Sequence, residues 1–358
     1  MKDDVLNVCA NTYLQARTIF LESTKASGYD TTGYLNDEKV FTSDIDLYTD
    51  VSVGGNLQSK NLLFVLSGTH GVEGYIGSAC QAWLAQNTCA FNGKFKIILI
   101  HAVNPFGFQF NRRVNENNID INRNFEKGGI ARSDELLNNM VHKGLRPNSY
   151  RKYNYLNLVY FLSRCYIRFG VRKTQSAIQQ GQYKYADGAF YGGKYSTWST
   201  KLIRTVLNIY KNQFDNCFFL DLHSGLGKYG AAEFYVAENV NSDMYKRAHN
   251  ALGSVVTSPF NGNSSSCYVH GSLRSEATKI LGSKNTIIGT LEVGTYGKLT
   301  VLQKILKENY IFQFGSLNDK DQISKELKNI FYPPDLDWRA KYIGHFNKLL
   351  FDYFESLK

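Results

Sequence analysis

The feature that most constrains the fold is a pair of short apolar runs separated by a helical segment. Residues 62–66 and 96–100 are each about one strand long, and residues 75–86 between them have the length of a helix. Apolar runs of this length are typical of strands that are buried on both faces of a parallel sheet. The segment therefore predicts a βαβ unit in the middle of an open sheet.

Further elements are predicted on both sides of this unit. The predicted strands are 46–54, 217–222, 232–237 and 286–291, and the predicted helices are 5–25, 154–180, 198–212, 242–254, 272–281, 299–313 and 337–356. Although 358 residues would allow two domains, single α/β domains reach this length. We therefore expect one domain, residues 1–358, with a basic, Tyr-rich insertion at about residues 127–200 that lies over one face of the sheet.

Positive charge is concentrated in that part of the chain. Residues 141–211 contain thirteen Lys or Arg residues and one acid, Asp187. Such a segment is typical of a surface that attracts nucleic acid, an anionic membrane or an acidic substrate, but a solvated basic face fits equally well. The apolar spacing of Leu156, Val159 and Leu162 indicates packing of a helix, so we do not expect a nucleic-acid partner.

Cysteine usage and the N-terminus favour a cytoplasmic location. The six cysteines show neither the spacing of a disulfide framework nor that of a zinc knuckle. The chain opens with Met1-Lys2-Asp3-Asp4 instead of a basic and then apolar leader. No apolar stretch approaches the ~20 residues that span a bilayer, so no transmembrane segment is expected.

Polar side chains are placed where three predicted strands end. His70 and Glu73 follow the first strand in SGTHGVEG, His223 follows another in DLHSG, and Glu292 follows a third in TLEVG. Ligands bind at the carboxyl ends of strands in open α/β sheets. The sequence therefore predicts that these four side chains share one site.

Two imidazoles and a carboxylate, with a coordination position left open, form the ligand set of a catalytic zinc ion. His70, Glu73 and His223 are the predicted ligands of Zn²⁺. Glu292 is left as the predicted general base. Each residue alone is more typical of a structural role, and only the combination favours a metal site.

Arginines follow in the segment 101–125, HAVNPFGFQFNRRVNENNIDINRNF. Arg112 and Arg113 precede Asn122 and Arg123, and arginine side chains bind carboxylates through two parallel hydrogen bonds. An anionic substrate and an oxyanion are the predicted ligands. A surface loop with solvated arginines is the alternative interpretation.

The chain resembles the zinc carboxypeptidase family and its aspartoacylase and succinylglutamate desuccinylase relatives. Five motifs occur in the order of that family, across residues ~62–297: His70-Gly71-Val72-Glu73, Asn104-Pro105-Phe106-Gly107, Asp120-Ile121-Asn122-Arg123-Asn124, His223 and Glu292. It resembles more closely a largely uncharacterised bacterial branch whose members carry a domain of unknown function. The resemblance implies a three-layer α/β/α sandwich with a mixed, twisted sheet.

The resemblance also implies a role for each matched residue. His70, Glu73 and His223 correspond to the zinc ligands, and Glu292 corresponds to the general base. Asp120 corresponds to a carboxylate that hydrogen-bonds a ligating histidine. Arg113 or Arg112 corresponds to an arginine that stabilises the oxyanion. Asn122 and Arg123 correspond to a pair that binds the substrate carboxylate.

Some positions depart from the family pattern. Phe106 replaces the usual aspartate of the turn, and the short spacing of the arginines leaves Arg112 and Arg113 as alternatives. Tyr268 corresponds to a tyrosine that closes over the substrate, but its spacing is two residues shorter, and a residue that only packs in the core or in a loop is the alternative. At the specificity pocket, Leu273 favours an apolar side chain, whereas Arg274 favours an acidic one.

These residues predict a zinc-dependent hydrolase that cleaves an amide bond beside a free carboxylate. Its substrate would be a peptide with a free C-terminus or a small N-acyl amino acid. The alternative is a non-catalytic binding protein on the same scaffold that recognises an anionic ligand or partner. Zn²⁺ is the only cofactor expected, and the sequence does not predict an oligomeric state.

Overall fold

A single mixed sheet of eight strands forms the centre of the molecule. The computed structural model describes residues 7–38, 45–91, 93–126, 135–146, 154–260, 262 and 264–358. The strands are β1 (Asp30–Leu35), β2 (Tyr48–Gly55), β3 (Asn61–Leu66), β4 (Lys96–His101), β5 (Asn216–Gly225), β6 (Ala232–Tyr235), β7 (Val256–Thr257) and β8 (Thr286–Gly294). Their spatial order is β1-β2-β4-β3-β5-β8-β6-β7.

Helices connect most of these strands. They are α1 (Tyr13–Ala26), α2 (Gly74–Gln86), α3 (Pro105–Gln109), α4 (Glu135–Gly144), α5 (Tyr155–Phe169), α6 (Val171–Gln180), α7 (Trp198–Tyr210), α8 (Asp243–Leu252), α9 (Leu273–Leu281), α10 (Lys298–Phe314), α11 (Leu317–Phe331) and α12 (Leu336–Glu355). In the described part of the chain, none of them combines the length and apolarity that a bilayer crossing requires.

The four central strands β4, β3, β5 and β8 are parallel, as the apolar runs predict. Leu62 pairs with Lys96 across β3 and β4, which confirms the βαβ unit. β5 pairs with β3 on one side and with β8 on the other, also in parallel. Because the carboxyl ends of parallel strands lie at the same edge of a sheet, the segments after β3, β5 and β8 are neighbours.

Helices cover both faces of the sheet, which confirms the predicted α/β/α sandwich. Phe218 and Phe219 are consecutive in β5, so their side chains point to opposite faces. The ring of Phe218 lies 4.4 Å from that of Tyr353 in α12, centroid to centroid. The ring of Phe219 lies 5.8 Å from that of Phe64, which in turn contacts Tyr210 of α7.

The predicted insertion contributes helices that pack on the main body. α4, α5 and α6 lie within residues 127–200, whereas residues 127–134 and 147–153 are outside the described residues. Leu162 and Ile178 of the insertion belong to a buried apolar cluster that also contains Leu306 and Phe331. This part of the chain therefore shares a core with α10 and α11.

Several local predictions were wrong. The helix predicted over 154–180 is interrupted by Gly170, whose φ of +84° suits glycine best. Leu156 and Val159 were expected to pack inside that helix, but they are 73% and 38% exposed. Strand β1 was not predicted, because its sequence DTTGYL has no buried position.

Candidate active site

A tight loop after β3 holds the first two predicted metal ligands. His70 precedes a 3₁₀ helix, Gly71–Glu73, on which α2 follows directly. The backbone of this loop lies so close to α3 that a Cβ on residue 71 would be 2.0 Å from the carbonyl carbon of Gly107. Glycine at position 71 is therefore required for the close approach that fixes His70 and Glu73.

The three predicted metal ligands converge on one point. The Nδ1 atom of His70 lies 2.9 Å from Oε1 of Glu73, and the Nδ1 atom of His223 lies 3.0 Å from Oε2. The two Nδ1 atoms are 3.1 Å apart. All three side chains are buried, and one ligand atom from each lies within 4.8 Å of the others. The structure thus brings together the residues that the sequence predicted.

Each imidazole has a carboxylate at its other nitrogen. Nε2 of His70 lies 3.3 Å from Oδ1 of Asp120, and Nε2 of His223 lies 2.6 Å from Oδ2 of Asp221. Asp221 is itself held by the hydroxyl of Thr69, which donates a hydrogen bond of 2.8 Å. A carboxylate on the outer nitrogen orients an imidazole so that the other nitrogen can bind a metal ion.

The electrostatics of this cluster favour a cation. Burial raises the pKa of Glu73, but the neighbouring imidazoles of His70 and His223 outweigh burial and lower it below its ordinary value. Burial lowers the pKa of His223, but Asp221 and Glu73 outweigh burial and raise it to about 10. The carboxylates therefore stabilise a positive charge between the side chains.

The donor set fits a divalent metal ion. Two imidazole nitrogens and one carboxylate are the ligands that zinc takes in catalytic sites. Two Nδ1 atoms that are 3.1 Å apart cannot both point a proton at each other, whereas a cation between them accepts a lone pair from each. His70, Glu73 and His223 could hold the ion, and Asp120 and Asp221 would orient its ligands.

Glu292 lies beside this cluster because of strand register. Its Cα pairs with that of His223 across β5 and β8. The backbone N–H of Leu226 donates to Oε1 of Glu292 at 2.8 Å. Burial, together with the negative charge of Glu73, raises the pKa of Glu292 to about 8. A carboxyl group with a pKa near neutrality is suited to proton transfer.

The structure separates the two candidate arginines. Arg113 contacts the cluster, since its Nη1 lies 3.3 Å from Oε1 of Glu73 and its Nε donates to Asp120 at 3.1 Å. Arg112 is 1% exposed and points away, with its Nε 2.5 Å from Oε1 of Glu308 in α10. Only Arg113 of the pair lines the cavity described below.

Asn122 and Arg123 lie next to Arg113. Nη1 of Arg123 donates to Asp120 at 3.0 Å, and its Nε donates to the carbonyl of Gln179 in α6 at 3.0 Å. Burial raises the pKa of Asp120, but Arg123 and Arg113 outweigh burial and hold it well below its ordinary value. Oδ1 of Asn122 accepts the N–H of Leu273, which leaves its amide N–H groups for a ligand.

These side chains line one cavity of about 250 Å³. Its polar side contains the metal-ligand cluster together with Arg113, Asn122, Arg123 and Glu292. The apolar part of its lining comes from α5, α6 and α10, through Leu162, Tyr166, Ile178, Leu299, Leu302 and Ile305. The insertion therefore forms part of the wall of the cavity.

The structure does not bring Tyr268 into this cavity. The ring of Tyr268 packs between those of Phe260 and His270, at centroid distances of 5.4 and 4.9 Å. It borders a neighbouring depression, next to Glu126 and Glu238. Its predicted role as a residue that closes over the substrate stays a prediction.

Sequence reasoning missed Asp221 as a partner of His223. The two residues are separated by one position in β5, so their side chains lie on the same face of the strand. An aspartate two positions before a histidine near the end of a buried strand, as in DLH, is the signal that would have found it. Phe190 was also missed; its ring lies 5.7 Å from the guanidinium carbon of Arg113.

The comparisons with known proteins cover most of the chain. A family model described as "Protein of unknown function (DUF2817)" matches residues 9–345. The search of curated proteins found no match. Among solved structures, the chain is similar to thrombin activatable fibrinolysis inhibitor, with 13% identity and a TM-score of 0.50 over 89% of this chain and 74% of that chain.

Two further solved structures are similar to the chain at lower TM-scores. Bovine thrombin-activatable fibrinolysis inhibitor, in complex with tick carboxypeptidase inhibitor, has 12% identity and a TM-score of 0.45 over 88% of this chain and 98% of that chain. A succinylglutamate desuccinylase from Silicibacter sp. TM1040 has 16% identity and a TM-score of 0.37 over 80% of this chain and 66% of that chain.

Identities of this size show the fold alone. The similarity to thrombin activatable fibrinolysis inhibitor confirms the predicted α/β/α sandwich of the zinc carboxypeptidase type. The predicted resemblance to a branch with a domain of unknown function is confirmed as well, because the family model covers almost the whole chain. The chain belongs to the DUF2817 family.

Proposed function

We propose that the protein is a zinc-dependent hydrolase that cleaves an amide bond next to a free carboxylate. One observation carries the proposal: His70, Glu73 and His223 converge within 4.8 Å, and Glu292 and Arg113 line the same cavity. A ligand set, a base and an oxyanion-binding group within one enclosed space are what amide hydrolysis requires.

Each side chain has a distinct task in this reaction. A zinc ion at the site would supply a Lewis acid that polarises the scissile carbonyl. Glu292 takes a proton from the attacking water, whose oxygen forms a bond to the carbonyl carbon. Arg113 donates hydrogen bonds to the oxyanion. The C–N bond then breaks, and Glu292 passes its proton to the leaving amine nitrogen.

Asn122 and Arg123 fix the substrate by its free carboxylate. The guanidinium of Arg123 is held in place by Asp120 and by the carbonyl of Gln179. A positioned arginine loses little freedom when it binds a carboxylate. The apolar wall from α5 and α10 leaves room for the remainder of the substrate, and it suits a peptide end or an N-acyl group.

The replacement Glu292→Gln tests the proposal. The amide of the introduced glutamine cannot accept a proton. For a panel of peptides with a free C-terminus and of N-acyl amino acids, kcat should therefore fall by about 10³-fold. Zinc content, measured by atomic absorption, should stay unchanged, because Glu292 is not a predicted ligand. Full turnover by this variant would show that the base is assigned wrongly.

Glu233→Gln is the matched control. Glu233 pairs with Glu292 across β6 and β8, but its carboxylate accepts hydrogen bonds from Ser265 and Thr257 outside the cavity. Turnover should therefore survive this replacement. Binding of the panel without turnover by the zinc-loaded wild type would support a non-catalytic binding protein instead.

A further inference from the structure

Arg274 is a buried cation in the wall of the same cavity. It is the second residue of α9 and is 6% exposed. Its Nη1 donates to the hydroxyl of Thr290, and its guanidinium carbon lies 4.4 Å from the ring centroid of Tyr235. Thr290 and Tyr235 line the cavity as well.

Arg274 differs from the other arginines of the cavity in its partners. Arg113 and Arg123 each form an ion pair with Asp120, at 3.1 and 3.0 Å. Within the described ranges no carboxylate lies within ion-pair distance of Arg274, although Glu126 and Glu238 border the depression on its other side. Its Nε is buried without a hydrogen-bond partner.

A buried guanidinium without a carboxylate is unfavourable unless a ligand supplies the negative charge. Thr290 lies two positions before Glu292 in β8, so both side chains lie on the same face, about 6.6 Å apart along the strand. Leu273, the residue before Arg274, donates its N–H to Asn122. Arg274 thus lines the same cavity as the proposed base and the proposed carboxylate-binding pair.

We propose that Arg274 binds a second carboxylate of the substrate, on the side chain of the residue whose α-carboxylate binds Asn122 and Arg123. The substrates are then peptides or N-acyl amino acids that end in glutamate or aspartate, and hydrolysis releases an acidic amino acid. This inference rests on the hydrolase function proposed above. It assigns to the site a preference for dicarboxylic substrates.

The test compares two substrates of the same shape, N-benzoylglycyl-glutamate and N-benzoylglycyl-glutamine, with the zinc-loaded enzyme. The wild type should prefer the glutamate substrate in kcat/KM by on the order of 100-fold, as expected for a hydrogen-bonded charge pair. Arg274→Gln should lower this preference to about onefold. Arg274→Lys, which keeps the charge, should restore part of it.

Lys279→Gln is the control for the loss of one positive charge. Lys279 lies on the same helix, is exposed, and does not line the main cavity. This variant should keep the wild-type preference. Equal turnover of both substrates by the wild type, or an unchanged preference in Arg274→Gln, would overturn the inference and leave the hydrolase function standing.

A binding measurement separates the two proposals. Calorimetry with zinc-loaded Glu292→Gln should show tighter binding of the glutamate compound, and the added replacement Arg274→Gln should remove the difference. If this selectivity is found but the wild type hydrolyses neither compound, the hydrolase proposal fails and the inference about Arg274 holds. If the glutamate compound is neither bound selectively nor hydrolysed, the inference fails.

Discussion

Replacing Arg112 by methionine should destabilise the protein without removing its chemistry. Arg112 links the arginine segment to α10 through Glu308, and its guanidinium carbon lies 3.4 Å from the ring centroid of Phe312. Arg112 and Glu308 are 1% and 4% exposed. The replacement leaves the Glu308 carboxylate buried without its cation.

The size of the loss in unfolding free energy follows from the burial of this ion pair. Removing one partner of a buried pair typically costs about 3–5 kcal/mol. Unfolding of 358 residues has an entropy of about 0.75 kcal/mol per kelvin, from about 2.1 cal/mol/K per residue. A loss of about 4 kcal/mol therefore lowers Tm by about 5 °C. The double variant Arg112→Met/Glu308→Met should recover most of that loss, because a buried pair can be exchanged for apolar side chains.

Scanning calorimetry together with turnover of the best substrate measures both effects. Arg113→Met is the matched variant: it should lower kcat by about 10²–10³-fold and change Tm less, because Asp120 keeps its ion pair with Arg123. If Arg112→Met instead removed activity at unchanged Tm and zinc content, Arg112 would be the oxyanion-binding residue and the assignment made from the structure would be wrong.

Two further predictions concern the carboxylate of Asp221 and the stability of the protein in acid. Asp221→Asn should weaken zinc affinity by about 10–100-fold, as measured by competition with a chromogenic chelator, and an unchanged affinity would show that Asp221 does not orient His223. Burial lowers the pKa of His101 and of His142 to about 4. Their neutral forms stabilise the fold above pH 6.5, and this contribution is lost as the pH falls towards 4. The free energy of unfolding from urea titrations should then fall by up to about 1.4 kcal/mol per pH unit for each histidine. His101→Gln should reduce this slope, and an identical slope would contradict the assignment.

The centre of the fold could be predicted because its strands are buried on both faces. Residues 62–66 and 96–100 contain no polar side chain other than Lys96, so their sequences are typical of parallel central strands. The edge strand β1 carries no such signal, since DTTGYL is polar and its pairing with β2 is decided by long-range contacts. α11 was also missed, although Ile323, Leu327 and Ile330 have helical spacing.

The convergence of the proposed metal ligands could be predicted because short loops and strand ends hold them. His70 and Glu73 are three positions apart in one loop. His223 and Glu292 lie near the carboxyl ends of parallel strands, which the sheet places at the same edge. The choice between Arg112 and Arg113 could not be made from sequence, because adjacent residues in an irregular loop point in different directions. Contacts with Glu308 and Phe312 of α10 decide which guanidinium turns away from the cavity.

Zinc stoichiometry is the most direct test of the central claim that three side chains share one metal ion. After dialysis against a chelator and reconstitution, mass spectrometry under native conditions should find one zinc ion per wild-type chain. His70→Ala, Glu73→Ala and His223→Ala should each abolish binding at micromolar zinc, whereas Glu292→Gln should still bind one ion. A wild-type chain that binds no zinc, or three ligand variants that bind it as the wild type does, would contradict the account.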